Sequence, residues 1–208
     1  MTAELFLPEY VYHGTFLHNV SFFKQKPLDR TKWRTDSTHY LKDFGDGLYT
    51  NADLEQAQIF SKRKLRTTSD LEAKPAVIKF RVNPVKYPSD DILVFSGMSQ
   101  EWSDYIYNHR MVKAEPCVHH HSIIIGPIAD GNFKEIFQQF SRSRHQDVQA
   151  NYNWFRTHIT FNKLTNKSYT DKEIGTQIVF CNDQLNILHY ESHYILEPYH
   201  RQERWKEV

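Results

Sequence analysis

Apolar and polar positions along the chain alternate between two periods, and the switches between them mark the elements. Glu9 to His13 is rich in Tyr and Val and reads as a first strand, followed by Gly14, whose missing side chain permits a close approach. Leu48 to Thr50 forms a short strand that runs into Asn51, an expected N-cap. The helix after it carries Leu54, Ala57 and Phe60 on one face and Asp53 and Glu55 in its first turn. From Ala76 to Val82 the residues Ile78, Phe80 and Val82 alternate with Val77, Lys79 and Arg81, the period-2 signature of a half-buried strand, and Ile92 to Phe95 continues similarly.

Helical spacing returns after Ser99, where Trp102, Tyr105, Ile106 and His109 repeat on one face, and after Asp130, where Phe133, Ile136, Phe137 and Phe140 do the same. Later strands are expected at His121 to Ile125, Ile178 to Cys181 and Tyr194 to Leu196. Ser141 to Gln149 and Lys163 to Glu173 are polar enough for loops or exposed helices. The pattern is mixed α+β. No repeat, low-complexity tract or Gly/Ser/Pro linker divides it, so one domain over 1–208 is expected, with a core at about 10–190 and a polar tail at about 198–208.

Composition narrows the function. The chain has 208 residues, 39% of them hydrophobic and 14% aromatic, enough for one ordinary core. Its 26 Lys and Arg against 25 Asp and Glu argue against a protein built to wrap nucleic acid or coat an anionic membrane. The longest nearly apolar run, Ser122 to Ala129, is interrupted by Gly126 and Pro127 and falls well short of the ~20 residues that span a bilayer. No basic segment followed by an apolar core opens the chain, and Cys117 and Cys181 stand far apart. A cytoplasmic location without a disulfide scaffold is therefore expected.

The run Cys117-Val118-His119-His120-His121 holds zinc-type ligands. Adjacent strand residues point to opposite faces and no second cluster follows at metal-site spacing, so no metal is expected. Walker, Rossmann and nucleophile-elbow motifs are absent from the sequence.

Three remote stretches carry the candidate chemistry: Tyr12-His13-Gly14-Thr15, Asp43-Phe44-Gly45-Asp46-Gly47-Leu48-Tyr49-Thr50 and Thr176-Gln177-Ile178-Val179-Phe180. Each sets a polar or aromatic side chain against strand-forming residues, which holds it more rigidly than a loop would. Together with Glu101-Trp102 ahead of Tyr105-Ile106 and Arg110, and with Ile123-Ile124-Ile125-Gly126-Pro127-Ile128-Ala129-Asp130, they resemble the His-Tyr-Glu class of the ADP-ribosyltransferase fold. The likeness is nearest to a bacterial and phage domain family long catalogued as of unknown function and grouped with those transferases. It covers about residues 10 to 190.

The resemblance implies a split β-sandwich with covering helices that grips nicotinamide adenine dinucleotide (NAD) as its substrate. It also implies transfer of ADP-ribose to a macromolecular acceptor, protein or nucleic acid. A toxin or phage-conflict factor with an antitoxin or immunity partner fits that family, with no membrane partner. In this reading His13 bonds a ribose hydroxyl, Gly14 and Thr15 line the carboxamide subsite, Tyr49 stacks on the nicotinamide and Arg110 faces the pyrophosphate.

Gln177 stands where the resembled class has glutamate. A neutral amide orients the sugar but stabilises oxocarbenium-like charge poorly. Asp130 ranks first, ahead of Asp46, Glu173 and Glu191, as a source of the missing charge, and Asp43 is expected only to stabilise its own turn. An inactive dinucleotide-binding module and an NAD glycohydrolase are the alternatives.

Overall fold

A computed structural model describes residues 7–33, 42–66, 68–84, 91–110, 120–129, 133–143, 147–162, 165–199 and 202–208. In chain order the strands are β1 (Tyr10–Phe16), β2 (Leu48–Asn51), β3 (Pro75–Val82), β4 (Ile92–Val94), β5 (Ile123–Pro127), β6 (Phe161–Asn162), β7 (Lys167–Ser168), β8 (Thr176–Phe180), β9 (Leu188–Tyr199) and β10 (Gln202–Glu207). The helices are α1 (Val20–Gln25), α2 (Arg30–Trp33), α3 (Leu54–Lys64), α4 (Gln100–Arg110), α5 (Phe133–Ser143), α6 (Val148–Ile159) and α7 (Asp171–Ile174). The protein is α+β. Eight strands form one sheet in the order β10-β9-β3-β1-β2-β8-β5-β4, antiparallel throughout except for the parallel β4–β5 pair, while β6 and β7 form a separate hairpin.

The sheet is continuous on paper but nearly divided in the middle. β1 pairs with β3 along seven residues, from Tyr10↔Arg81 to Phe16↔Pro75, yet meets β2 at a single Cα pair, Tyr12↔Asn51. Alternation along each strand then builds two cores. Leu48, Ile123, Ile178 and Phe180 from one half join Val11, Ile78 and Phe80 from the other, together with Phe23 and Trp33. The neighbouring residues Ile124 and Val179 face the opposite way, into Trp102, Ile106, Phe155 and Ile159 of α4 and α6. Val77 and Ile78 are both fully buried because α3 covers the second face of β3.

Local chemistry explains most element starts. Ser99 Oγ accepts from the Trp102 N–H at 3.1 Å, as expected of a cap. For α3 the cap is Asp53, not Asn51: the Asp53 side chain accepts from the Glu55 N–H, and Asn51 remains in β2. The buried face of α3 is Ala57 and Ser61, whereas Phe60 is 46% exposed, because that face lies against Gly14. α6 was not anticipated; Asp147 caps it and Phe155 and Ile159 are buried. The described part of the polar stretch expected at Lys163–Glu173 holds β7 and the start of α7, with the Thr170 N–H donating to Glu173 Oε2 at 2.7 Å. Within the expected polar tail, β10 pairs with β9 from Gln202↔Tyr199 to Glu207↔Tyr194.

At Gly14 an added Cβ would lie 2.5 Å from Ala57 O and 3.0 Å from Ser61 N. Both atoms belong to helix backbone and have nowhere to move. Gly14→Ala is expected to destabilise the fold by about 1–3 kcal/mol through overpacking, read as a lower urea midpoint. An unchanged midpoint would place α3 away from β1.

Candidate functional site

Past the Tyr12↔Asn51 pair the β1–β2 ladder opens, and a side chain closes the gap. His13 Nδ1 lies 2.7 Å from the backbone oxygen of Tyr49. A carbonyl oxygen only accepts, so Nδ1 carries the hydrogen and Nε2 is left as a lone-pair acceptor. Burial, with the charge of Lys64 as the next cause, lowers the imidazole from 6.5 to about 3, so the ring stays neutral across the physiological range. Phe23 packs on it with centroids 5.0 Å apart. His13 Nε2 makes no hydrogen bond to the described residues.

The sign of the His13 shift gives a prediction. The unfolded ring takes its proton near 6.5 and the folded ring near 3, so its contribution to stability is complete above about pH 6.5 and is lost as pH falls toward 3. The limiting slope is about 1.4 kcal/mol per pH unit. Between pH 7 and pH 5 the wild type is expected to lose on the order of 1–2 kcal/mol more than His13→Asn, whose amide keeps a donor toward Tyr49 O. Parallel denaturation profiles for the two proteins would contradict the buried neutral ring.

The next two residues of that motif are held by protein rather than left open. Gly14 O accepts from Lys64 Nζ at 2.6 Å, Thr15 O accepts from Ser61 Oγ at 2.7 Å, and Thr15 Oγ1 accepts from Asn19 at 3.3 Å. The backbone beside His13 is therefore capped by α3. Lys64 itself is lowered to about 8 by burial and by the nearby charge of Lys42.

Tyr49 turns back on its own motif. Its hydroxyl donates to Gly45 O at 2.9 Å and accepts from the Phe44 N–H at 2.8 Å, pinning the turn that Gly45 makes at φ 77°. The hydroxyl is thus committed to the loop, and burial raises the phenol well above its ordinary value. Lys42 Nζ, which donates to Trp33 O at 2.6 Å, stands 5.5 Å from the Tyr49 ring centroid. Two lysines and a neutral imidazole therefore surround the opening between β1 and β2.

Gln177 is 6% exposed and lies on the same sheet face as Tyr49, since Asn51↔Gln177 and Tyr49↔Val179 are paired positions two residues apart. Its Nε2 donates to Asp43 Oδ2 at 3.2 Å and to Pro127 O at 3.1 Å. Because the Pro127 carbonyl cannot donate, the amide orientation is fixed, and Oε1 is left as an acceptor without a partner among the described residues.

Asp43, assigned only a turn role from sequence, is 5% exposed, and its Oδ1 receives Arg110 Nε at 2.5 Å. Arg110 thus pairs through Nε with a buried carboxylate. Asp43 is the acid beside Gln177. Glu173 caps α7, Glu191 pairs with Arg81 at 3.6 Å, Asp46 sits at the opposite end of β2 from Asn51, and Asp130 lies outside the described residues.

Cys117 and His119 also lie outside the described residues, among which no three His, Cys, Asp or Glu side chains are placed to hold a metal ion. Burial pushes the Cys181 thiol up to about 12, so it is no thiolate ligand. A cavity of about 260 Å³ lies by Cys181 and Trp33, at the end of β8 away from Gln177, and includes none of His13, Tyr49 or Gln177. No helix of the described residues is long and apolar enough to cross a membrane.

The fold and site define an α+β protein whose polar centre sits where its sheet nearly divides. The chain belongs to the family described as "Protein of unknown function (DUF3990)", whose model matches residues 11–190. No curated protein and no solved structure matches it.

Proposed function

We propose that the chain binds NAD at the opening between β1 and β2, cleaves the nicotinamide–ribose bond and transfers ADP-ribose to a macromolecular acceptor. The observation that carries this reading is the unpartnered acceptor His13 Nε2 where the β1–β2 ladder opens, with a second acceptor, Gln177 Oε1, on the strand beyond β2. Ribose hydroxyls are donors, and two fixed neutral acceptors suit them. The near-division of the sheet into two four-strand halves whose faces share one core supports the split β-sandwich. Lys42 and Lys64 supply positive charge beside the opening and join Arg110 as partners for the pyrophosphate.

In this mechanism the bonding electrons leave with nicotinamide, positive charge develops on the ribose, and an acceptor nucleophile attacks the anomeric carbon and loses its proton. Gln177 orients the sugar without neutralising that charge. A non-catalytic binding module is the second reading, favoured because Asp43, the acid nearest Gln177, is already paired with Arg110. A toxin or phage-conflict role in the cytoplasm, with an antitoxin partner, belongs to the same proposal.

Timed incubation of purified protein with NAD labelled in the adenosine half tests it. Nicotinamide release with label in a protein or nucleic-acid fraction is expected. Release with free ADP-ribose alone makes the protein a glycohydrolase, and saturable binding without release makes it a binding module. Neither release nor binding would overturn the NAD reading in every form.

A further inference from the structure

The cavity at the far end of β8 has none of His13, Tyr49, Gln177, Lys42 or Lys64 in its lining. Cys181 is the fourth residue after Gln177, roughly 13 Å along an extended strand, which sets the cavity apart from Gln177. Its volume, about 260 Å³, suits a molecule the size of an amino acid and is too small for a dinucleotide.

Two observations of different kind meet there. Among the described residues, the buried side-chain polar atoms without a hydrogen-bond partner are Trp33 Nε1 and His121 Nδ1, and both residues line this cavity. Trp33 is 6% exposed. Buried polar atoms are almost always paired, and two exceptions at one cavity mark hydrogen bonds that a bound molecule would complete. The second observation is charge: Asp91 and Asp183 bring two carboxylates to the lining beside Asp46, whose charge is met by nearby Lys42, against the guanidinium of exposed Arg30. Asp91 also accepts from the Ser122 N–H at 3.1 Å, which steadies it on β5's approach.

We infer that this cavity binds a small organic cation of the basic amino-acid type, a guanidinium or ammonium group on a short chain that also carries a carbonyl or carboxylate oxygen. Carboxylates accept the N–H groups of the cationic end. An indole N–H only donates, so Trp33 requires an acceptor on the ligand, which the carbonyl or carboxylate oxygen supplies. Arg30, at the exposed rim, is positioned for the same oxygen. Free amino acid and basic peptide residue share this chemistry, and the two sources are separable by experiment.

Calorimetric titration of the full chain with L-arginine, L-lysine, L-citrulline and N-acetyl-arginine amide tests the inference. L-arginine or L-lysine is expected to bind, with citrulline, the uncharged isostere of arginine, weaker by about tenfold or more. Binding of N-acetyl-arginine amide as tight as that of arginine assigns the site to a peptide residue, and its loss assigns it to the free amino acid. Asp183→Asn is expected to weaken binding about tenfold, and the indole N–H resonance that disappears in Trp33→Phe is expected to shift on titration of the wild type. Citrulline binding as well as arginine, failure of both cations to bind, or an unmoved Trp33 resonance under saturation would overturn it. None of these outcomes bears on NAD.

Discussion

Gln177→Glu is expected to destabilise the protein by about 3–5 kcal/mol at neutral pH and to lower any turnover, because it removes a donor from between two acceptors. The wild-type amide gives its hydrogens to Asp43 Oδ2 and Pro127 O. A carboxylate there has no hydrogen to give and sets a second negative charge about 3.2 Å from Asp43 in a site 6% exposed. The sequence alone suggested the reverse, that restoring the glutamate of the resembled class would raise the rate. The new carboxyl will have a raised folded pKa, so the gap to wild type is expected to narrow as pH falls from 8 to 5 and the group takes up a proton. Urea denaturation across that range is the measurement. A Gln177→Glu protein as stable as wild type at pH 8 would mean the amide is not held by those two oxygens.

Arg110→Met is expected to cost a similar amount, about 3–5 kcal/mol, since it strands the Asp43 carboxylate in the interior. Asp43 and Arg110 are 7% and 15% exposed at their side chains, too buried for water to replace the lost partner. Asp43→Asn in the Arg110→Met background is expected to recover part of the loss, so the double variant falls short of the sum of the singles by about 1–3 kcal/mol. Additive effects in this cycle would show that the two side chains are not coupled.

What the sequence disclosed and what it hid divide along one line, the distance over which the signal acts. The strand at β3, the repeat of Trp102 and Ile106 and the Ser99 cap are local, and the structure has them, but the alternation of β3 holds only from Ile78 to Val82 because α3 buries Val77. Gly14 is a site of close approach, and the approaching group is the α3 backbone, which no local pattern names. The role of Asp43 was invisible because its partners lie 67 and 134 residues away. An Asp ahead of Phe-Gly reads as a turn, and it is one; the buried ion pair is added by the fold. α6 had a readable signal in Asp147 with Phe155 and Ile159, diluted by the polar residues between them. The hydroxyl partners of Tyr49 are the residues four and five positions back, a contact set by the Gly45 turn.

The account rests on a neutral His13 ring whose Nε2 waits for a ribose hydroxyl. Nitrogen-15 NMR of histidine-labelled protein, titrated with NAD at pH 6, tests this most directly. The predicted result is one ring, identified by its absence in His13→Asn, in the Nδ1–H form without a charge, whose Nε2 resonance shifts saturably as NAD is added. A His13 ring already protonated at pH 6, or one whose Nε2 ignores the dinucleotide at saturating concentration, would contradict the account.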